Sequence, residues 1–470
     1  MLALGTTPVS AEVKLAPVFG DHMVLQRGVE VPVWGQAAPG ETVEVAFQKQ
    51  RHSATAGRDG SWMVRLSALS GTAEGADLSV KGTNTLVLKD VVVGEVWMCA
   101  GQSNMRMTVG ESEGWAGEQK AAQQPQIRLL AKPGGEWRQA SPETAGDFSA
   151  VAYYFARELQ PSIDVPVGLI TAAVGGTAGV EWTPKDALQS DPELWSYYHD
   201  HAMAEYKRLL AEYEAAKTTA PAGKPPRPPK KRDPGSWYAQ LVQPFTPFPV
   251  RGVLWYQGES DAPNPELYAK LFATLISSWR QAWQNENLPF LFVQLPNFDD
   301  QGQPGERWAR VRESQVRALS LPGTGMIVTI DIGGSLHPGK KREVGRRLAL
   351  LAREKVYGHD VQGSSPLFRE AIVEGSTIRV RFQKGSGPLV WKSFPPQSLK
   401  IAGADGKFLS GVGVFEGGDL IVSNPKIPSP VAVRYACSNT PQAALFGGND
   451  LPAAPFRSDS WSLDASPGTP

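Results

Sequence analysis

A serine hydroxyl attacks a carbonyl only when a neighbouring base takes its proton, and histidine is the usual base. Ser103 stands where such chemistry is possible. It lies in the stretch VWMCAGQSNM (96–105), in which a continuous apolar run ends in Gly-Gln-Ser-Asn. A serine there projects its hydroxyl into a cleft and leaves nearby backbone N–H groups free for an anion; an ordinary turn or cap serine has the same local sequence. Two further apolar runs end alike, in WYQGESD (255–261) and AVGGTAG (173–179). The Gln257 amide can donate to a developing oxyanion, and the glycines 175 and 176 free backbone N–H donors.

The base must come from six histidines. His22 and His52 lie in an N-terminal β region, and His359 follows the last helical pattern. His199 and His201 point to different sides of a helix, which suits a solvated face better than a metal site. His337 differs, because it sits in a short loop, SLHPGKK, after the apolar run GMIVTIDIGG (325–334). That is the same kind of strand end that carries Ser103. The literal G-x-S-x-G pattern at residues 110–114 is a decoy, since it lies in a polar stretch with no strand before it.

These positions need a sheet whose strands all end on one side. Residues 12–95 alternate like short strands punctuated by Pro-Gly, Asp-Gly and Gly-Thr-Asn turns, which predicts a small β-sandwich. Residues 96–358 change to continuous apolar strands (166–176, 250–258, 288–295, 325–334) with amphipathic segments between them (147–159, 184–216, 265–284, 306–319, 341–356). This alternation predicts a parallel sheet covered on both faces, with chemistry at the carboxyl ends of its strands. Within it, the Pro-rich basic insertion 218–235 reads as an exposed linker. Residues 359–470 return to β patterning.

Composition narrows the function classes. The 47 basic and 47 acidic residues cancel, so no global basic field exists for nucleic acid or an anionic membrane surface. No apolar run is long enough for a membrane-spanning helix. Two cysteines, Cys99 and Cys437, are too few for a multi-ligand zinc cluster; they read as free thiols or, if the fold joins them, one disulfide. The sequence Val9-Ser10-Ala11 fits a small-residue signal cleavage site without a complete leader before it, so a secreted or periplasmic location is expected.

Together the stretches resemble the sialate O-acetylesterase family of the SGNH (GDSL-like) hydrolases. DHMVLQRGVEVPVWGQAAPGETVEV is similar to the family's opening β domain, and GEVWMCAGQSNM resembles its nucleophile block. GLITAAVGGT, RGVLWYQGES, LPFLFVQL, HPGKKREVGRRLA and NDLPAAPFRSD follow in family order. The resemblance implies a three-layer α/β/α hydrolase domain flanked by β domains, and hydrolysis of acetyl esters on sugars without a cofactor. It implies Ser103 as nucleophile and His337 as general base. The oxyanion donors would be the N–H groups of Ser103 and Gly176 and the side chain of Gln257. Glu259 would be a supporting or substrate-orienting group, and Arg251 and Arg106 are candidates for an anionic sugar. Acetylated xylan or another glycan is the alternative substrate, and a catalytically silent carbohydrate-binding protein is the alternative of another class.

One departure from the family pattern matters. Where the family carries an aspartate shortly before the histidine, this chain has Gly334 and Ser335. Either Ser335 or a backbone carbonyl orients His337 as part of a Ser-His dyad, or Asp331 reaches it, or the site is impaired. A carboxylate sets tautomer and orientation, which a neutral acceptor can do in part.

Overall fold

The β-branched run before Ser103 forms a single strand, β1 (Thr85–Gly101), 17 residues long. Its first six residues alternate exposed and half-buried, and everything from Val91 onward is buried. The change follows the sequence: TLVLKD alternates, whereas VVVGEVWMCAG is continuously apolar apart from Glu95. The first half faces solvent on one side, and the second is covered on both. This computed structural model describes residues 12–219, 227–300, 305–385, 387–393 and 397–463. The Val9-Ser10-Ala11 cleavage signal lies outside them.

β1 is the centre of a sheet with β2 (Gln124–Leu130), β3 (Trp137–Ala140), β4 (Val167–Ala173), β5 (Gly252–Tyr256), β6 (Phe290–Val293) and β7 (Thr324–Ile327). The order is β3-β2-β4-β1-β5-β6-β7. All neighbours are parallel except β3, which pairs antiparallel with β2 at one edge. The sheet is therefore mixed, where the sequence predicts a purely parallel one. Residues 131–136 form a short return between β2 and β3 that allows only an antiparallel partner.

Helices α1 (Ser103–Arg106), α2 (Ala150–Ile163), α3 (Ala202–Thr219), α4 (Pro265–Ala282), α5 (Arg307–Arg317) and α6 (Lys341–Lys355) fill the connections. Side chains alternate across β1. Trp97 and Cys99 join one apolar core with residues of α2 and α6, including Phe155, Leu159 and Leu348. Val96, Met98 and Ala100 join another with residues of α4, including Phe272, Leu275 and Trp279. Each large apolar side chain so buried contributes roughly 1.5–3 kcal/mol relative to exposure.

The first half of β1 pairs antiparallel with Thr72–Lys81 and parallel with Val24–Gln26. The boundary expected between residues 95 and 96 thus falls inside one strand. After α6 come a four-stranded sheet (order Phe368–Glu374, Thr377–Phe382, Asp419–Ser423, Val412–Glu416), a two-stranded pair and a second four-stranded sheet. This C-terminal part is bolted to α5: Asn439 Oδ1 accepts from Trp308 N at 2.9 Å, and Arg457 pairs with Glu313 at 2.9 Å. Cys99 and Cys437 are both free thiols, so the disulfide reading does not hold.

Candidate active site

Three strand ends build the site. At the end of β1 the chain must turn sharply against β5. Gly101 makes this possible: its φ is +143°, and a Cβ there would lie 2.1 Å from the Tyr256 carbonyl oxygen. Gln102 N then donates to that oxygen at 3.0 Å, and Ser103 starts the short helix α1. At the end of β4, Val174 N donates to Gly101 O at 3.1 Å, which brings the 174–178 loop alongside. A Cβ placed on Gly175 would sit 3.6 Å from Ser103 Cβ. Among the described residues, the N–H groups of Ser103 and Gly176 donate to no protein acceptor. They remain available to an anion held against Ser103.

The loop after β7 brings in His337. Gly334 N donates to Asn297 O at 3.1 Å, and Glu113 N donates to Gly339 O at 3.0 Å, so the loop is pinned on two sides. His337 Nε2 lies 2.8 Å from Ser103 Oγ, across 234 residues of sequence. The imidazole pKa is held below 6.5 by partial burial and by the positive charges of Lys341 and Arg106, with Glu111 opposing. A neutral imidazole at hydrogen-bond distance from a hydroxyl is what proton abstraction needs.

Behind Ser103 lies a buried polar cluster. Asn104 Nδ2 donates to Glu259 Oε1 at 2.6 Å and to Leu336 O at 3.0 Å. Lys341 Nζ donates to Asn104 Oδ1 at 2.5 Å and sits 5.2 Å from the centre of the Tyr256 ring. Glu259 lies in this cluster, and burial raises its pKa.

Several expected site residues are engaged elsewhere. Gln257 is fully buried, and its Nε2 donates to Thr177 O at 3.1 Å and to Asp261 Oδ2 at 2.6 Å. Both amide hydrogens are spent, so the expectation that this side chain donates to an oxyanion is corrected: it ties the 174–178 loop to Asp261. Asp331 does not reach His337, because its carboxylate is paired with Arg347. Ser335 makes no hydrogen bond among the described residues, and His337 Nδ1 has no protein acceptor among them. Arg251 precedes β5 and pairs with the buried Glu95 at 2.5 Å, at the opposite end of the sheet from Ser103, so it is not a substrate residue. Arg106 is exposed beside the cleft, its Nε 3.9 Å from a Cβ placed on Gly175.

The Pro-rich insertion is not simply a linker. Residues 220–226 lie outside the described residues, but the segment after them docks on the 174–178 loop and on Glu181. Lys230 Nζ donates to Gly176 O at 2.6 Å, and Arg232 Nη1 pairs with the buried Glu181 at 2.8 Å. Beside them a cavity of about 420 Å³ is lined by Tyr197, Tyr198, His201, Tyr206, Lys230 and Asp261. Among the described residues, the buried Tyr198 hydroxyl there has no hydrogen-bond partner. Sequence reasoning missed Asn104, Lys341 and Asp261 as parts of the site. Only Asn104, next to Ser103, carried a positional signal.

The pattern of the family described as "Carbohydrate esterase, sialic acid-specific acetylesterase" matches residues 93–221 and 231–352. The mouse sialate O-acetylesterase is 28% identical over 94% of this chain and 94% of its own, and the rat enzyme is 29% identical over 79% of each. The crystal structure of a carbohydrate acetylesterase from Xanthomonas citri superposes with a TM-score of 0.84 at 35% identity, covering 96% of this chain and all of that one. Fold, site and relatives together define a carbohydrate esterase. Within that class, the chain belongs to the sialic acid-specific acetylesterase family.

Proposed function

We propose that this chain is a serine O-acetylesterase of sugars, with the hydrolase region a three-layer SGNH-type domain. The observation that carries the reading is the 2.8 Å separation of Ser103 Oγ and His337 Nε2. Ser103 Oγ attacks the acetyl carbonyl carbon while its proton passes to His337 Nε2. The carbonyl oxygen becomes an oxyanion held by the N–H groups of Ser103 and Gly176. Collapse expels the sugar oxygen, which takes the proton from His337. Water, deprotonated by His337, then attacks the acetyl-enzyme, and collapse returns that proton from His337 to Ser103 Oγ and releases acetic acid, which ionises to acetate. Because His337 is neutral near pH 7, it accepts the first proton without prior deprotonation.

The sugar is read from the cleft walls. The exposed Arg106 beside Ser103 favours an acidic sugar such as sialic acid. Tyr197, His201 and Tyr206 in the adjoining cavity favour a second reading, a neutral glycan such as acetylated xylan, whose rings stack on aromatic faces. Turnover of p-nitrophenyl acetate by wild type, Ser103→Ala and His337→Ala tests the chemistry. Loss of the nucleophile should lower the rate by about 10⁴–10⁶. Equal rates in wild type and Ser103→Ala would overturn the serine reading, and equal inertness would leave a silent carbohydrate-binding protein as the better one. Acetate release from O-acetylated sialic acids and from acetylated xylan then separates the two substrates.

A further inference from the structure

His337 must be held at Ser103, yet its Nδ1 has no protein acceptor among the described residues. The nearest aspartate in sequence, Asp331, belongs to Arg347. What does hold the loop is the residue after the serine. Asn104 Nδ2 donates to the carbonyl of Leu336, the residue before His337, at 3.0 Å. Two bonds one residue apart, Ser103 to His337 and Asn104 to Leu336, therefore join the helix α1 to the histidine loop.

We propose that Asn104 is the positioning residue that takes the place of a histidine-orienting carboxylate, holding the His337 loop by the Leu336 carbonyl while the buried Lys341 ammonium on one side and the Glu259 carboxylate on the other fix which face its amide presents. An asparagine amide offers an acceptor on one side and two donors on the other. Here Oδ1 faces the Lys341 ammonium at 2.5 Å, and Nδ2 faces the Glu259 carboxylate at 2.6 Å. A flipped amide would set donor against ammonium and acceptor against both carboxylate and carbonyl. Asn104 and Lys341 are fully buried, where such mismatches are costly. The orientation is therefore fixed by charge, and the Leu336 carbonyl receives the hydrogen left over.

The cluster has a second effect. Burial lowers the Lys341 pKa to about 8, with Glu259 opposing, so the side chain is still largely cationic at pH 7. Partial burial first, and then the charges of Lys341 and Arg106, hold the His337 pKa down against the field of Glu111. The inference rests on Ser103 and His337 acting as nucleophile and base.

Asn104→Asp is the test, because it keeps the volume and the acceptor for Lys341 but loses the amide donor. With p-nitrophenyl acetate at pH 8, kcat should fall about 100-fold, the scale of a small misplacement of reacting groups, while KM stays within threefold. If that variant does not fold, the double variant Asn104→Ala, Lys341→Met removes the amide together with its buried cation and should show the same split. Glu111→Gln, on the loop facing His337, should keep kcat within threefold. A kcat within threefold of wild type in the Asn104 variant that folds overturns the proposal. So does a loss in Glu111→Gln as large as that in the Asn104 variant, which would make Glu111 the orienting carboxylate. If Ser103→Ala and His337→Ala abolish turnover in the same assay, either result leaves the esterase reading standing. If they do not, that reading fails first.

Discussion

Asp331 closes a bidentate pair on Arg347, with Oδ1–Nη1 at 2.7 Å and Oδ2–Nη2 at 2.6 Å. The pair pins the end of the β7 connection to the middle of α6, while Arg347 also donates to Val328 O at 2.7 Å and Glu343 at 2.7 Å. The Arg347 side chain is only 4% exposed, so removing its partner leaves a buried cation with one carboxylate in place of two. Asp331→Asn should cost about 1–3 kcal/mol, less than a fully broken buried pair because Glu343 remains. Turnover should stay within threefold of wild type at pH 8. Urea unfolding and p-nitrophenyl acetate kinetics on the same preparation check both halves. A loss of turnover equal to that of His337→Ala would restore an aspartate to the triad.

The pH profile follows from His337. Its pKa lies below 6.5, because partial burial and the cations Lys341 and Arg106 disfavour the imidazolium. Protonation removes the base, so kcat/KM should rise with pH, with a midpoint below 6.5, and then hold a plateau. More than half of the maximal value should persist at pH 6.5. Arg106 is exposed, so its share is screened, and added salt should move the midpoint up toward 6.5. A midpoint above 7 would show that a carboxylate dominates the field at the ring.

Gly101 tolerates no side chain. A Cβ would meet the Tyr256 carbonyl oxygen at 2.1 Å, and φ is +143°. Gly101→Ala should destabilise by roughly 3 kcal/mol or more, since strain and a backbone clash coincide. Any folded fraction should have a displaced Ser103 and depressed kcat. Thermal melting and active-site titration give the two readings.

The thiols should behave as two unlinked groups. Cys99 is buried and its pKa is raised well above the usual thiol range, so the reactive thiolate is scarce. Burial pushes the Cys437 thiol up to about 12. A thiol reagent should titrate two groups after denaturation and react slowly before it. Dithiothreitol should leave the melting temperature unchanged.

Arg106→Ala separates the two substrate readings. For an acetylated sialic acid it should raise KM about tenfold, the value of one lost charge-assisted contact of about 1.4 kcal/mol. Acetylated xylan should be far less affected, and Tyr206→Ala should reverse the pattern. Michaelis constants for both esters at pH 8, on the plateau, decide between them.

The frame of the site was legible because its signals are local. Apolar strands that end in glycine turns mark where a hydroxyl and an imidazole emerge, and Ser103 and His337 do lie together. Side-chain partners were not legible. Nothing near Gln257 in the sequence says that its amide is spent on Thr177, 80 residues away. Asp331 finds Arg347 only once α6 has packed against β7. For Arg251 the clue existed: it precedes its strand, and the opposite end of a strand carries the chemistry. The basic insertion misled because proline-rich composition describes local stiffness and says nothing of where the segment returns. Lys341 looks like any lysine at the start of a helix, although it is fully buried.

β1 also bears on how the chain can be cut. The strand that ends at Gly101 begins at Thr85, among the sheets of the N-terminal region. Ser103 thus sits at the tip of a rod whose other end is gripped by Thr72–Lys81 and Val24–Gln26. The N-terminal region braces the strand that carries the serine. A shortened chain starting at residue 96 should lose its footing rather than yield a minimal enzyme.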